Sequence, residues 1–264
     1  MLAKYPLYDF DSNLTTPFEI VDGVSISFND IDAKAIIPKA CRSEDVEYKL
    51  SYPQYCLVIE ENMYNRKEAS VTFMLSARLL KRSKVFIRYG VDSSNCFIPL
   101  RDDYIQVTSQ NTTTEILESE FHKLSKIFTA LDDFRRLNTR TKNAVYFFML
   151  ACRSRSALEA ILFRVTALET LTSAQNRENG ITKKFVDRIR SFIGFKEEDL
   201  KEMYDFRSSL VHGRYECKSL ENNRHLSCFS DEVCRKVFSK ILLECNYNEL
   251  FSDDIKRMAL FGEK

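Results

Sequence analysis

The spacing of apolar residues changes once along this chain. In the first part they come in short runs and in alternation. Ile20-Val21-Asp22-Gly23-Val24-Ser25-Ile26-Ser27-Phe28 alternates around a glycine, and Tyr55-Cys56-Leu57-Val58-Ile59, Val71-Thr72-Phe73-Met74-Leu75 and Val85-Phe86-Ile87-Arg88-Tyr89 are β-branched and aromatic-rich. Runs of this kind predict short strands. From about residue 112 the spacing becomes helical. Thr112-Thr113-Thr114-Glu115 has the interval of a capping box, in which a threonine oxygen takes an orphan amide and the glutamate reaches back. Leu117, Phe121, Leu124, Phe128 and Leu131 follow along one helical stripe. A second, long stretch from about Lys142 to Thr172 carries Leu158, Ile161, Leu162, Val165 and Leu168, with Arg153-Ser154-Arg155-Ser156 as its candidate bend. Asn179-Gly180 reads as a turn. Beyond it come a helix bearing Phe185, Ile189 and Phe192, another from about Glu197 to His212, and a last one with Val233, Val237, Ile241 and Cys245, for which Ser230-Asp231-Glu232 suits the N-terminus.

The prolines sharpen the division. All five (Pro6, Pro17, Pro38, Pro53, Pro99) precede residue 100, and proline is excluded from helix interiors while it marks turns and strand ends. The prediction is an α+β chain: a mostly antiparallel, β-rich N-terminal domain over residues 1–111, then an all-α helical bundle over residues 112–264. Helices that are each apolar along one stripe bury those stripes together most simply as a bundle.

Composition removes several function classes. With 264 residues, 44% of them hydrophobic and 29% charged, the chain can build a packed core, which excludes a disordered or low-complexity scaffold. No stretch of 18 or more residues is apolar and uncharged, and Asp9 and Asp11 stand where an export signal needs its apolar segment, so a cytoplasmic protein with no membrane partner is expected. Eight cysteines without a CxxC pair read as reduced thiols. The nearest approach to a metal site is Cys217, His225 and Cys228, which lacks paired ligand spacing, and neither a metal nor another cofactor is expected. A balance of 39 basic and 38 acidic residues exerts no general pull on nucleic acid. The local clusters Arg135, Arg136, Arg140, Lys142 and Lys183, Lys184, Arg188, Arg190 read as solvated helix faces. No Walker loop or GxGxxG fingerprint is present.

Chemistry concentrates in Tyr204-Asp205-Phe206-Arg207-Ser208-Ser209-Leu210-Val211-His212-Gly213. The apolar stripe of this helix passes through Leu200, Met203, Tyr204, Leu210 and Val211, with Arg207 in its middle. A guanidinium held there must be paired with an acid or aimed into a cleft, because burying it alone costs several kcal/mol. His212 follows Ser208 by four residues, on the same face, and Arg207 by five, about 140° further round. Gly213 is the residue type that ends helices in a left-handed position, which puts His212 in the last turn, where the negative end of the dipole favours a cation. An imidazole for proton transfer and a fixed guanidinium for charge stabilisation are what RNA cleavage by its own 2′-hydroxyl requires.

Arg207-Ser208-Ser209-Leu210-Val211-His212 matches the RxxxxH signature of HEPN domains. Together with Ala167-Leu168-Glu169-Thr170-Leu171 and Gly180-Ile181-Thr182-Lys183-Lys184-Phe185, the segment from Tyr204 to Gly213 resembles the ApeA-like branch of that superfamily, over roughly residues 115–250. The resemblance implies a HEPN-like helical bundle acting as a metal-independent endoribonuclease, with Arg207 and His212 as the catalytic pair. Ser208 would be the polar residue after the arginine, and Glu169 would orient Arg207 or His212 from the long helix. It further implies a homodimer whose two motifs line one composite active site, an RNA substrate, and a role as a toxin or antiphage abortive-infection effector, with an antitoxin or a phage-derived trigger as partner. The alternative is a non-catalytic HEPN-type module that binds a nucleotide, an RNA or a protein. In that case Arg207 is a structural partner of Glu169 and His212 is a helix cap.

Overall fold

The computed structural model describes residues 1–31, 53–83, 85–87, 89–94, 96–99, 114–154, 156–174, 180–215 and 223–262. The chain is α+β, with an N-terminal antiparallel sheet followed by a helical region, and it forms two compact units, Met1–Thr129 and Ala130–Lys264. Residues 100–113, which hold the boundary suggested by the prolines, lie outside the described residues.

The first unit is built on strands β1 (Leu2–Tyr8), β3 (Phe18–Val21), β4 (Val24–Phe28), β5 (Tyr55–Glu60), β6 (Phe86–Ile87), β7 (Tyr89–Val91) and β8 (Phe97–Pro99). They are ordered β3-β4-β5-β1-β7-β8, with β6 also on β1. β1 is central: Ala3, Tyr5 and Leu7 alternate into the core, Tyr5 lies opposite Leu57 of β5, and Leu7 lies opposite Ile87 of β6. Gly90 on β7 is required by this packing, since a Cβ there would lie 2.4 Å from the Tyr5 ring. Burial holds the Cys56 thiol up at about 12, so it packs as an inert apolar group.

Two expectations for this unit are corrected. Val71–Leu75 is not a strand but the middle of helix α1 (Arg66–Leu80). Asn65 decides it, because its carboxamide oxygen accepts from the amides of Lys67 and Glu68 at 3.1 and 3.2 Å, and the hydroxyls of Thr72 and Ser76 bond back to carbonyls one turn earlier. Nor does Thr112–Glu115 start a helix: Thr112 and Thr113 lie outside the described residues, while β9 (Thr114–Glu115) pairs in parallel with β2 (Phe10–Asp11). The helical chain begins at a 3₁₀ turn, Glu118–Glu120, where the Glu120 carboxylate accepts from the Leu117 amide at 2.9 Å, and continues as α2 (Phe121–Leu137).

The second unit contains the end of α2, then α3 (Thr139–Arg153), α4 (Ala157–Thr172), α5 (Ile181–Ile193), α6 (Glu197–Val211), α7 (Arg224–Glu244), α8 (Tyr247–Leu250) and α9 (Asp254–Leu260). The expected bend is a full break. Asn138 caps α3 through the Thr141 amide, Ser156 caps α4 through the Leu158 amide, and the two helices pack as a hairpin with Phe147 stacked on Phe163. α4 is the central helix, with α3, α5, α6 and α7 all against it, and Ile161, Val165, Leu168 and Leu171 fully buried. Phe134, Phe148, Phe238 and Phe251 form one aromatic cluster. α7 starts earlier than its charge pattern suggests, at Arg224, so Ser230 and Asp231 are interior positions and not a cap. Asp231 is needed inside because Arg164 of α4 meets it there at 3.2 Å. Gly180 stands before α5 with φ of 67°, while Asn179 lies outside the described residues.

Candidate functional site

Helix α6 ends by a complete glycine motif. His212 is the cap, Gly213 takes φ of 65°, its amide donates to the Leu210 carbonyl, and the Arg214 amide donates to Ser209 at 2.9 Å. No side chain among the described residues crowds Gly213, and its left-handed backbone makes glycine the favoured residue. The consequence is that His212 stands exposed at the rim, with Val211 beside it also exposed. Its backbone amide donates to the Ser208 carbonyl at 3.0 Å.

One turn and a half earlier, Arg207 meets an acid from the central helix: its Nη2 lies 2.7 Å from Glu169 Oε2, with both side chains about one-fifth exposed, at 20% and 21%. The other carboxylate oxygen is taken as well, since the Tyr204 hydroxyl donates to Glu169 Oε1 at 2.9 Å. Tyr204 precedes Arg207 by three residues and so shares its face, and the guanidinium carbon lies 5.9 Å from the tyrosine ring centre. Phe185 of α5 packs on that ring at 4.8 Å. Burial, and then the neighbouring Glu169 charge, push the Tyr204 phenol well above its ordinary value, so it is a proton donor throughout the physiological range.

The turn that carries Glu169 is held from outside. The Ser173 amide closes the helix onto the Glu169 carbonyl at 2.8 Å, and the later carbonyls are met by three arginines. Arg140 donates to Thr170 and Ser173, Arg188 to Thr172, and Arg257 to Leu171 and Ser173, at 2.6 to 2.9 Å. Cations at a helix C-terminus satisfy orphan carbonyls and the dipole together. Burial and the adjacent Arg257 charge pull Arg140 below the ordinary arginine value, while Asp254 opposes them. This corrects the reading of the two basic clusters as wholly solvated faces: Arg140 is half-buried and Arg188 buried, because helix-end carbonyls need donors wherever water is excluded.

Of the residues expected at a site, Glu169 and Arg207 touch. Ser208 is half-buried on the next position and contributes its carbonyl to the helix end, and His212 lies at the exposed end of the same helix. Sequence reasoning passed over Tyr204 as a ligand of Glu169, although its spacing from Arg207 was the available signal. Nothing in the sequence pointed to the three-arginine clamp. Cys217 lies outside the described residues, His225 sits 3.5 Å from Glu202, and among the described residues no group of three His, Cys, Asp or Glu side chains converges. No helix among the described residues is long and apolar enough to cross a membrane. Comparison with protein-family models, with curated proteins and with solved structures gave no match.

Proposed function

We propose that the protein is a HEPN-type endoribonuclease of the RxxxxH kind. The supporting observation is that Arg207 is fixed by Glu169 while still partly open to solvent, at the same helix end that presents His212. In this reading His212 moves the proton of the attacking 2′-hydroxyl or the leaving 5′-oxygen, Arg207 stabilises charge on the phosphate, and the products carry a 2′,3′-cyclic phosphate and a 5′-hydroxyl. Imidazole and guanidinium together supply proton transfer and charge stabilisation, so the reaction proceeds without a metal. Two protomers bring their motifs to one cleft, and the cell compartment is the cytoplasm. The biological role is that of a toxin or abortive-infection effector, restrained by an antitoxin or released by a phage component.

The test is incubation of the full chain with total cellular RNA in EDTA, followed by mapping of the cleaved ends. Cyclic phosphate ends that vanish on 2′-O-methyl RNA are expected. Cleavage that needs magnesium, or that persists on the modified strand, overturns the mechanism. Binding of RNA without any cleavage favours the non-catalytic module, in which the Glu169–Arg207 pair is structural.

A further inference from the structure

We propose that Tyr204 is a positioning residue: its hydroxyl occupies Glu169 Oε1, so that the carboxylate meets Arg207 through Oε2 and the remaining guanidinium donors stay available to an RNA phosphate. The inference rests on the ribonuclease reading of the same site. It stands on geometry in which each carboxylate oxygen has its own partner, the phenol at 2.9 Å and the guanidinium at 2.7 Å. Tyr204 is 5% exposed and its ring is seated against Phe185, so the hydroxyl cannot leave Glu169 by a simple rotation into solvent. A carboxylate with both oxygens free pairs with arginine as a fork, taking two parallel N–H groups. Removing the phenol oxygen opens that arrangement to Glu169. Arg207 is then bound more completely by the protein and less by substrate. Arg207 Nε is already buried without a partner among the described residues, so the terminal nitrogens are the ones that matter for phosphate.

The experiment is a double-mutant cycle on the full chain with Tyr204→Phe, Glu169→Gln and the pair, read in two arms on one RNA oligonucleotide. One arm measures cleavage of the natural strand; the other measures affinity for its uncleavable 2′-O-methyl form. Tyr204→Phe removes a single oxygen and keeps the ring on Phe185, so folding is retained. The expected result is a loss of about three- to tenfold in both arms when Glu169 is present and of less than about twofold when residue 169 is glutamine, since a residue acting through another is silent once that one is gone. Equal losses in both backgrounds, or none in either, overturn the role of Tyr204 and leave the ribonuclease reading intact. A protein that binds but never cuts overturns the ribonuclease reading, and the coupling in the binding arm then decides Tyr204 on its own. A protein that neither binds nor cuts overturns both.

Discussion

Among the described residues helix α4 enters two acid–arginine pairs, and they differ in burial and in how far the protein takes up the guanidinium. Toward α7, Arg164 meets Asp231 with side chains 6% and 2% exposed, its Nη1 also donates to the Ser227 carbonyl at 2.7 Å, and Asp231 is shared with Arg235 at 3.6 Å. Toward α6, Glu169 meets Arg207 with side chains about one-fifth exposed, and the second partner of the acid is the neutral Tyr204 hydroxyl. In the first pair the guanidinium is consumed by the protein, which makes it a structural joint. In the second the carboxylate is consumed and the guanidinium keeps an accessible edge, the condition a phosphate-binding arginine must meet. Residue types alone would call the two pairs equivalent. Burial and the distribution of donors separate them.

The largest effect should come from breaking the closed pair. Asp231→Ala removes the acid that Arg164 meets inside the bundle and should cost about 3–5 kcal/mol, measured by urea denaturation. A loss below about 1 kcal/mol, on the scale of exposed pairs, would erase the contrast. Next come the open pair and its neighbour. Arg207→Ala and His212→Ala should each slow RNA cleavage by on the order of 10²–10³-fold. The exposed His212 variant should change stability by less than about 0.5 kcal/mol, whereas Arg207→Ala should lose about 1–3 kcal/mol because it leaves Glu169 partly unpaired. Full cleavage by both variants would reduce the open pair to a second structural joint.

A smaller effect is expected from the clamp. Arg257→Ala leaves the Leu171 carbonyl without its donor and should cost about 1–3 kcal/mol in thermal or urea unfolding, accompanied by a drop in cleavage as the turn bearing Glu169 loosens. Unchanged cleavage at that stability loss would mean the clamp does not govern the site. The smallest is a pH effect. Because Tyr204 is raised above the ordinary phenol value of 10.0, the native state holds its proton more tightly than the unfolded state. Its contribution is therefore fully present below about pH 10 and lost as pH rises beyond it. Stability curves of wild type and Tyr204→Phe should run parallel up to pH 9 and converge above 10; curves that stay parallel to pH 11 would contradict the burial of this phenol.

Local chemistry in the sequence reached a definite distance. Proline placement and the change of apolar period fixed the α+β order, the stripe position of Arg207 required an acid or a cleft, and the glycine after His212 ended the helix where it does, since a left-handed backbone is a property of one residue and its neighbours. The same local reading failed where partners lie far along the chain. β1, the central strand, is not among the runs that read as strands, and its alternation gains meaning only beside β5 and β7. Val71–Leu75 looks like a strand until the cap at Asn65 and the sheet beside it settle the matter, because β propensity is weak against tertiary packing. Ser230 and Asp231 look like a helix start until Arg164 arrives from a helix more than sixty residues earlier. The site divides in the same way. Arg207 and His212 are sequence neighbours and were legible as a motif, whereas the phenol on Glu169 and the three arginines on its helix end depend on which side chains packing brings within about 3 Å, a question of long-range geometry that no spacing within one helix encodes.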